Sequence, residues 1–248
     1  MQYRVNFIVL VLMGLVYQGT GFVFIWVLLG RFQALGGWTF ADIAFLYGFR
    51  LLVHALWGFL LGNLARVSWQ VRRGEFDRYL TRPLAPLLQI ASSTLELNRF
   101  GDLVGGVALF GVSINLVRIA WSPILAIYLG LALIGGILAE SALTLAIAAL
   151  SFRLVATDSI WYLVQSSFGN YGNYPLKIFS LGLQFFLTFV IPVAFVAYLP
   201  VSVLLGRASE LGIDPIIAYL TPVMGAILFL LAHRFWQWQL RSYQSSGN

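Results

Sequence analysis

The chain has 248 residues, of which 60% are apolar and only 10% are charged, 15 Lys+Arg against 9 Asp+Glu. Its mean hydropathy is +0.87. A soluble domain carries about 25% charge, and a surface this poor in charge would not stay in water. An ordinary soluble globule is excluded, and so is a disordered chain, which leaves a membrane protein. Six spans of about 20 residues need about 120 residues, fewer than the roughly 149 apolar residues the chain holds. There is no cysteine, which excludes disulfides, thiolate metal sites and cysteine nucleophiles. The pI near 9.8 reads as the bias that orients membrane proteins rather than as a nucleic-acid footprint, because the basic residues cluster between apolar runs.

Charge-free runs place the spans in chain order. Between Arg4 and Arg31 lie 26 uncharged residues, which predict a first helix over 6–29, too long for a cleaved signal peptide. A second span is predicted over 40–64, with Thr39 and Asp42 spaced as a capping box at its start. The segment 65–99 is the most charged part of the chain and is expected to be polar. A third span fits 100–119, with Arg99 and Asp102 placing its start, and a fourth fits 122–151. Hydropathy then selects 178–206, which Pro192 and Pro200 interrupt. Two alternatives stay open for the fifth crossing. It is either 155–173, with 178–206 a re-entrant hairpin that must be buried in protein, or 178–200 itself. Asp158, at the start of the disputed segment, reads as a cap or hinge. A sixth span fits 215–234, with Pro215 as its first helical residue. The fold class expected is therefore an all-α membrane protein of six spans, a single transmembrane domain over 1–248 with no internal repeat.

Orientation follows from the basic residues. With the N-terminus inside, Arg4, Arg66, Arg72, Arg73, Arg78, Arg82, Arg99, Arg153, Arg234 and Arg241 lie on the cytoplasmic side, against Arg31, Arg118 and Arg207 outside. This is a strong positive-inside bias, and both termini are expected in the cytoplasm of a cell with this protein in its plasma (inner) membrane. Most of Trp26, Trp38, Trp57, Trp69, Trp121, Trp161, Trp236 and Trp238 fall near predicted span ends, as an aromatic belt would place them. Gly58/Gly62 and Gly101/Gly105 match the small-residue packing pattern, but the 24 glycines would produce about that many pairs by chance.

Two polar groups stand out. The segment Arg72, Arg73, Gly74, Glu75, Phe76, Asp77, Arg78, Tyr79, Leu80, Thr81, Arg82, Pro83 reads either as a solvated loop against anionic headgroups or as a docking element for a protein partner, its charges being mixed in sign. Phe76, Tyr79 and Leu80 fall at helical spacing on one face, and Pro83 and Pro86 are expected to stop the helix. Arg50 and His54 lie four apart in the second span, where a charge faces a bundle interior or water. With Glu140 they are candidate translocation-path residues, or else a structural pair with a carboxylate or carbonyl. Arg50 and Glu140 differ in depth by about two helical turns, which disfavours a direct bond between them.

Several stretches resemble the ABC-2-type permease family. Gly74-Glu75-Phe76-Asp77-Arg78-Tyr79-Leu80-Thr81-Arg82-Pro83-Leu84 is similar to its hallmark, a basic residue and Gly followed by an acidic position and Leu-x-Arg-Pro-Leu. Gln2-Tyr3-Arg4-Val5-Asn6-Phe7 resembles the approach to its first span. Phe189 to Pro200 resembles its late proline-bracketed apolar motif, and Trp238 to Gly247 its C-terminal tail. Relatives usually carry an amphipathic segment before the Tyr-Arg pair, so either that interfacial helix is absent or the sequence begins late. The resemblance implies the membrane half of an ATP-driven transporter. Two permease subunits, alike or different, would pair. Two separate ATPase subunits would dock on a cytoplasmic coupling helix at 71–82. It also implies re-entrant helices after the fifth span, with Tyr174-Pro175 at that span's outer end.

The residues agree with this division of labour. A P-loop needs Gly-x-x-x-x-Gly-Lys-Ser/Thr, and the single lysine, Lys177, stands between Leu176 and Ile178. ATP and magnesium are therefore expected in a partner chain, with no cofactor, metal or nucleic acid bound here. An ion-coupled secondary transporter is the alternative, although inverted repeats are not visible and Arg50, His54 and Glu140 make a thin proton relay. An intramembrane protease would need His-Glu-x-x-His or facing Ser and His, and His54 and His233 lie far apart.

Overall fold

A computed structural model describes residues 2–31, 34–94, 97–154 and 157–243. Among these the chain is all-helical, with one isolated bridge between Leu35 and Trp38. Helix α1 (Gln2–Arg31) covers the first predicted span. Helix α2 (Phe40–Leu61) opens on the predicted capping box. The Thr39 hydroxyl accepts from the Asp42 amide at 3.4 Å, and the Asp42 carboxylate accepts from the Thr39 amide at 2.9 Å. It does not end at residue 64. A 3-10 turn (Gly62–Arg66) leads straight into α3 (Val67–Arg72), giving one 33-residue rod, Phe40–Arg72. At 1.5 Å per residue that rod is about 50 Å long, well beyond the about 30 Å of a hydrocarbon core.

Two one-turn to two-turn helices follow, α4 (Asp77–Leu80) and α5 (Pro86–Ala91). Pro86 does not stop a helix but opens α5 as its first residue, where its missing N–H costs nothing. Helix α6 (Leu97–Ile114) returns along α1 and α2. Helix α7 (Pro123–Leu150) is capped by Ser122, whose hydroxyl accepts from the Leu125 amide at 3.2 Å. With the Phe40–Arg72 rod, α7 is one of two helices among the described residues long and apolar enough to cross a membrane.

The remaining helices are short until the last. Helix α8 (Asp158–Tyr171) has 14 residues. Helix α9 (Leu181–Phe185) passes into one π-helical turn (Phe186–Val190) and breaks at Ile191-Pro192. Then come α10 (Val193–Val196) and α11 (Tyr198–Leu204). The second break falls at Ala197 (φ −143°, ψ −48°), not at Pro200, which sits in the first turn of α11. The reason is local. Pro200 has no N–H to return to the Val196 carbonyl, and that carbonyl instead faces α7, where a Cβ on Gly136 would lie 2.9 Å from it. All of 191–200 is buried, as irregular backbone at membrane depth has to be. Asp214 caps α12 (Pro215–Tyr219), accepting from the Ile216 amide at 2.9 Å, and α13 (Thr221–Leu240) ends the described chain.

Helices α7 and α13 pack backbone against backbone. A Cβ on Gly225 would overlap the backbone of Gly135, and a Cβ on Gly135 would meet Pro222 Cα at 2.6 Å. Backbones approach this closely only where no side chain intervenes. The Gly58/Gly62 pair has a different use: Gly62 leaves room for the Arg99 guanidinium, which donates to the Gly58 carbonyl at 2.5 Å.

Candidate functional site

The arginine-rich end of the molecule is built around one buried ring. The rod stops at Arg72, Arg73 caps it, and Gly74 (φ +70°) turns the chain. The Glu75 amide reaches the Gln70 carbonyl at 2.9 Å, and the Gly74 amide reaches that of Val71 at 3.1 Å. This is the helix C-terminal motif in which glycine supplies the left-handed residue. The turn drives Phe76 inward, where it is fully buried. Its ring meets Phe152 at 4.9 Å, Tyr243 at 5.3 Å, Tyr79 at 5.9 Å and Trp236 at 6.1 Å between centroids. Phe152 and Trp236 themselves pack at 4.9 Å. The segment after α3 is thereby fastened to Phe152, two residues past α7, and to the end of α13 and the residues that follow it.

Polar contacts fix the same segment from other sides. Tyr243 donates to Asp77 at 2.8 Å. Burial, reinforced by that carboxylate, pushes the Tyr243 hydroxyl up to about 12. Gln89 ties α5 to α4 through the carbonyls of Tyr79 (2.9 Å) and Leu84 (2.6 Å). Asn63 donates to the carbonyls of Ala91 and Thr94 at 3.0 and 2.9 Å. Arg72 pairs with Asp158 at 2.8 Å, and Ser68 bonds Thr157 at 2.6 Å, which joins α3 to the start of α8.

The predicted docking residues therefore separate into two sets. Phe76 and Tyr79 do not form an outward face with Leu80. They are 0% and 3% exposed, whereas Leu80 is 46% exposed. A helix of one turn cannot set which side faces in, and the Phe152–Trp236 cluster does so instead. Arg72 is paired, Arg73 lies over Trp69 at 4.2 Å, and Arg78 donates to the Tyr79 hydroxyl at 2.9 Å over its ring. Glu75 is half-buried, and Arg82 and Pro83 are exposed.

The second candidate group is split in the same way. Glu140, 1% exposed, bonds His54 Nδ1 at 2.6 Å. His54 lies one turn beyond Arg50 on the same helix. His54 stacks on Trp57 at 5.2 Å, and Trp57 approaches Trp161 of α8 at 6.2 Å. His54 opens onto a cleft of about 210 Å³ that Trp57, Arg99 and Asp102 also line. Arg50 is buried beneath α8, where a Cβ on Gly172 would lie 3.1 Å from its Cδ. Asp102 does more than place the start of α6: Gln18 of α1 donates to its carboxylate and its carbonyl at 3.2 Å, and Tyr47 of α2 donates to the Gln18 carbonyl at 2.9 Å.

Sequence reasoning missed the opposite end. Arg207 binds Asp42 at 3.0 Å, the Gly37 carbonyl at 3.0 Å and Glu210 at 3.5 Å, with Lys177 at 3.7 Å from Glu210. This closes the α11–α12 turn onto the cap of α2. The only signal for it was an arginine among acids on the side predicted to be poor in basic residues.

Comparison with known families settles the class. The profile of ABC-2 family transporter proteins matches residues 15–247. The chain belongs to the ABC-2 transporter family. No curated protein and no solved structure matches it significantly. Membership makes this ABC-2 protein a membrane component of a transport system and agrees with the apolar rods. Among the described residues of the ABC-2 protein no cluster of His, Asp and Glu could hold a metal ion.

Proposed function

We propose that the chain is the permease subunit of an ATP-binding-cassette transporter. It exports a substrate across the plasma membrane, driven by ATP that separate subunits hydrolyse. It crosses the membrane six times with both termini in the cytoplasm: α1, the Phe40–Arg72 rod, α6, α7, α8 and α12–α13. The broken run α9–α11 is a re-entrant hairpin reaching the outer surface, and its interrupted backbone, buried over 191–204, supports that reading. The charged segment 72–83 then lies in the cytoplasm, where positive residues concentrate.

The observation that carries the proposal is the Phe76 cluster. An ATPase seated on the exposed residues of this segment, Arg73, Leu80 and Arg82 among them, would push on a body already fastened to α2, α5, α7, α8 and α13. Interfaces and packed cores pass such displacements on as units. A second permease subunit completes the pathway, with Arg50, His54 and Glu140 along it. ATP and magnesium stay with the ATPase.

The test is co-purification in mild detergent with the ATPase encoded beside the gene. Leu80→Asp with Arg73→Glu should reduce recovery of the ATPase by tenfold or more while the permease stays monodisperse. Retention of the ATPase by this variant would move the docking surface elsewhere. The His54–Glu140 pair, its carboxylate buried and its imidazole on a cleft, favours one second reading, an ion-coupled transporter. It predicts substrate movement that survives loss of the ATPase and collapses with the proton gradient.

A further inference from the structure

The cleft beside His54, about 210 Å³ in volume, opens between the rod and the start of α6. Its floor is a run of small residues along the rod, Ala55, Gly58, Gly62 and Ala65, and a Cβ on Gly58 would meet nothing within 4 Å. Its walls are polar: His54, Trp57, Arg99 and Asp102. Gly58 lies 18 residues beyond Phe40 on the continuous rod, about 27 Å along its axis. With Phe40 at the outer hydrocarbon edge and a tilt of about 20°, the floor is still within the about 30 Å of hydrocarbon.

Hydrogen bonding around this cleft is unfinished. Trp57 is 5% exposed, and its buried indole N–H has no partner among the described residues. A buried donor left unpaired is costly, most of all at membrane depth. The neighbouring ring lacks the complementary contact. His54 uses Nδ1 on Glu140 at 2.6 Å, and its Nε2 has no hydrogen-bond partner among the described residues. With the Nδ1 proton on the carboxylate, a neutral imidazole presents Nε2 as an acceptor. The two rings stack at 5.2 Å, so an open donor and an open acceptor belong to adjoining side chains. A hydroxyl group satisfies both, because it accepts through its oxygen and donates through its hydrogen. The Asp102 carboxylate accepts from Gln18 and has lone pairs for further donors. Charge narrows the choice. An anion in the cleft would face Asp102, and a cation would face Arg99, whose guanidinium is seated on the Gly58 carbonyl. At about 30 Å³ per water the cleft has room for about seven waters, enough for one small polar group and too little for a drug-sized molecule.

We propose that this cleft binds an uncharged, hydroxyl-bearing group of the transported substrate, one end of a polyol or a sugar. Trp57 donates to a hydroxyl oxygen, His54 Nε2 and Asp102 accept from hydroxyls, and Glu140 is the positioning residue that fixes the His54 ring. That the occupant is cargo rests on the permease reading above; binding itself needs no ATPase.

Gly58→Cys places a thiol in the cleft of a chain that has no cysteine of its own. Ala65→Cys, at the other end of the floor, is a second reporter, and Leu181→Cys, 83% exposed outside it, is the reference. The full-length protein in detergent is modified with uncharged hydroxyethyl methanethiosulfonate, and the rate is followed by intact mass. Glycerol is the probe, at high concentration because so small a molecule binds weakly. Pentan-3-ol has the same size with a single hydroxyl, and glycerol 3-phosphate adds charge. Relative to Leu181→Cys, glycerol should slow modification of the cleft thiols about threefold or more, and the other two compounds should not. Trp57→Phe keeps the stacked ring and removes only the N–H, so half-protection should need about fivefold more glycerol, the loss of one hydrogen bond. No slowing by glycerol means a cleft that takes water only, and overturns the proposal. Equal slowing by pentan-3-ol, or equal or stronger slowing by glycerol 3-phosphate, also overturns it, by assigning the cleft to size alone or to a charged ligand. Unchanged protection in Trp57→Phe removes the assigned donor and overturns the site as built. Co-purification of the ATPase is scored on the same samples. Absence of protection in protein that recruits the ATPase overturns the cleft alone. Protection in protein that never recruits it supports the cleft and counts against the permease reading.

Discussion

Phe76→Ala is the substitution that most sharply separates the two sides of the arginine-rich end. Phe76 is fully buried among Phe152, Tyr243, Tyr79 and Trp236. Truncating a buried phenylalanine to alanine costs about 3–5 kcal/mol, transfer and cavity together. Because the segment around it holds no other fully buried ring except Tyr79, this loss falls on local opening of residues 74–94 rather than on the apolar rods. At 1.36 kcal/mol per decade, amide exchange there should accelerate by about a hundredfold to a few thousandfold. Hydrogen exchange with mass spectrometry reads this peptide by peptide. Leu80→Ala, at a side chain 46% exposed, is the control and should change exchange by less than about threefold. Peptides from α7 between Ala132 and Leu145 should stay protected in both variants. If Phe76→Ala changes exchange in 74–94 no more than Leu80→Ala does, the aromatic cluster is not what holds the segment.

Three further outcomes follow from the packing. His54→Ala leaves the buried Glu140 carboxylate without its partner, so a double-mutant cycle with Glu140→Gln, read by unfolding in mixed micelles, should show coupling of about 1–3 kcal/mol; a coupling near zero would contradict the pairing. Gly225→Val places a side chain into the Gly135 backbone and should abolish recovery of monodisperse protein, whereas Gly19→Val, with open space around it, should be recovered like the parent. At the opposite end, Arg207→Ala removes contacts to Asp42, Gly37 and Glu210 and should cost about 1–3 kcal/mol. Lys177→Ala removes one half-exposed contact at 3.7 Å and should cost well under 1 kcal/mol. Equal effects of the last two on thermal aggregation would show that the Arg207 network does not hold the turn.

How much of this is legible in the sequence depends on whether the signal is local. The Thr39/Asp42 capping box, Ser122 before Pro123 and Asp214 before Pro215 mark helix starts because a cap and its amide are a few residues apart. The end of the second helix is not legible: the span predicted to end at 64 is carried on to Arg72 through a 3-10 turn, and Gly62 within it admits Arg99 from α6. The inward direction of Phe76 depends on Phe152, Trp236 and Tyr243, all more than 70 positions away, so spacing within one turn cannot reveal it. The Gly135–Gly225 crossing is invisible to a search for i,i+4 pairs because each helix contributes one glycine. For Glu140, the depth argument disfavours Arg50, and the same argument moved one turn along the face leads to His54, to which Glu140 is bonded. The Arg207 network joins three separate loops, and no pattern in any one of them announces it.

The central claim, that the exposed ridge beside Phe76 receives an ATPase, has a direct measurement because the chain has no cysteine of its own. Leu80→Cys gives a single reactive thiol on that ridge, and Leu181→Cys gives one that is 83% exposed on the hairpin side. Permease and neighbouring ATPase are co-expressed, membranes are treated with a short thiol-to-amine crosslinker, and the adducts are identified by mass spectrometry. The account predicts an ATPase adduct from Leu80→Cys and none from Leu181→Cys. An adduct from Leu181→Cys with none from Leu80→Cys, in membranes where both proteins are present, would contradict it.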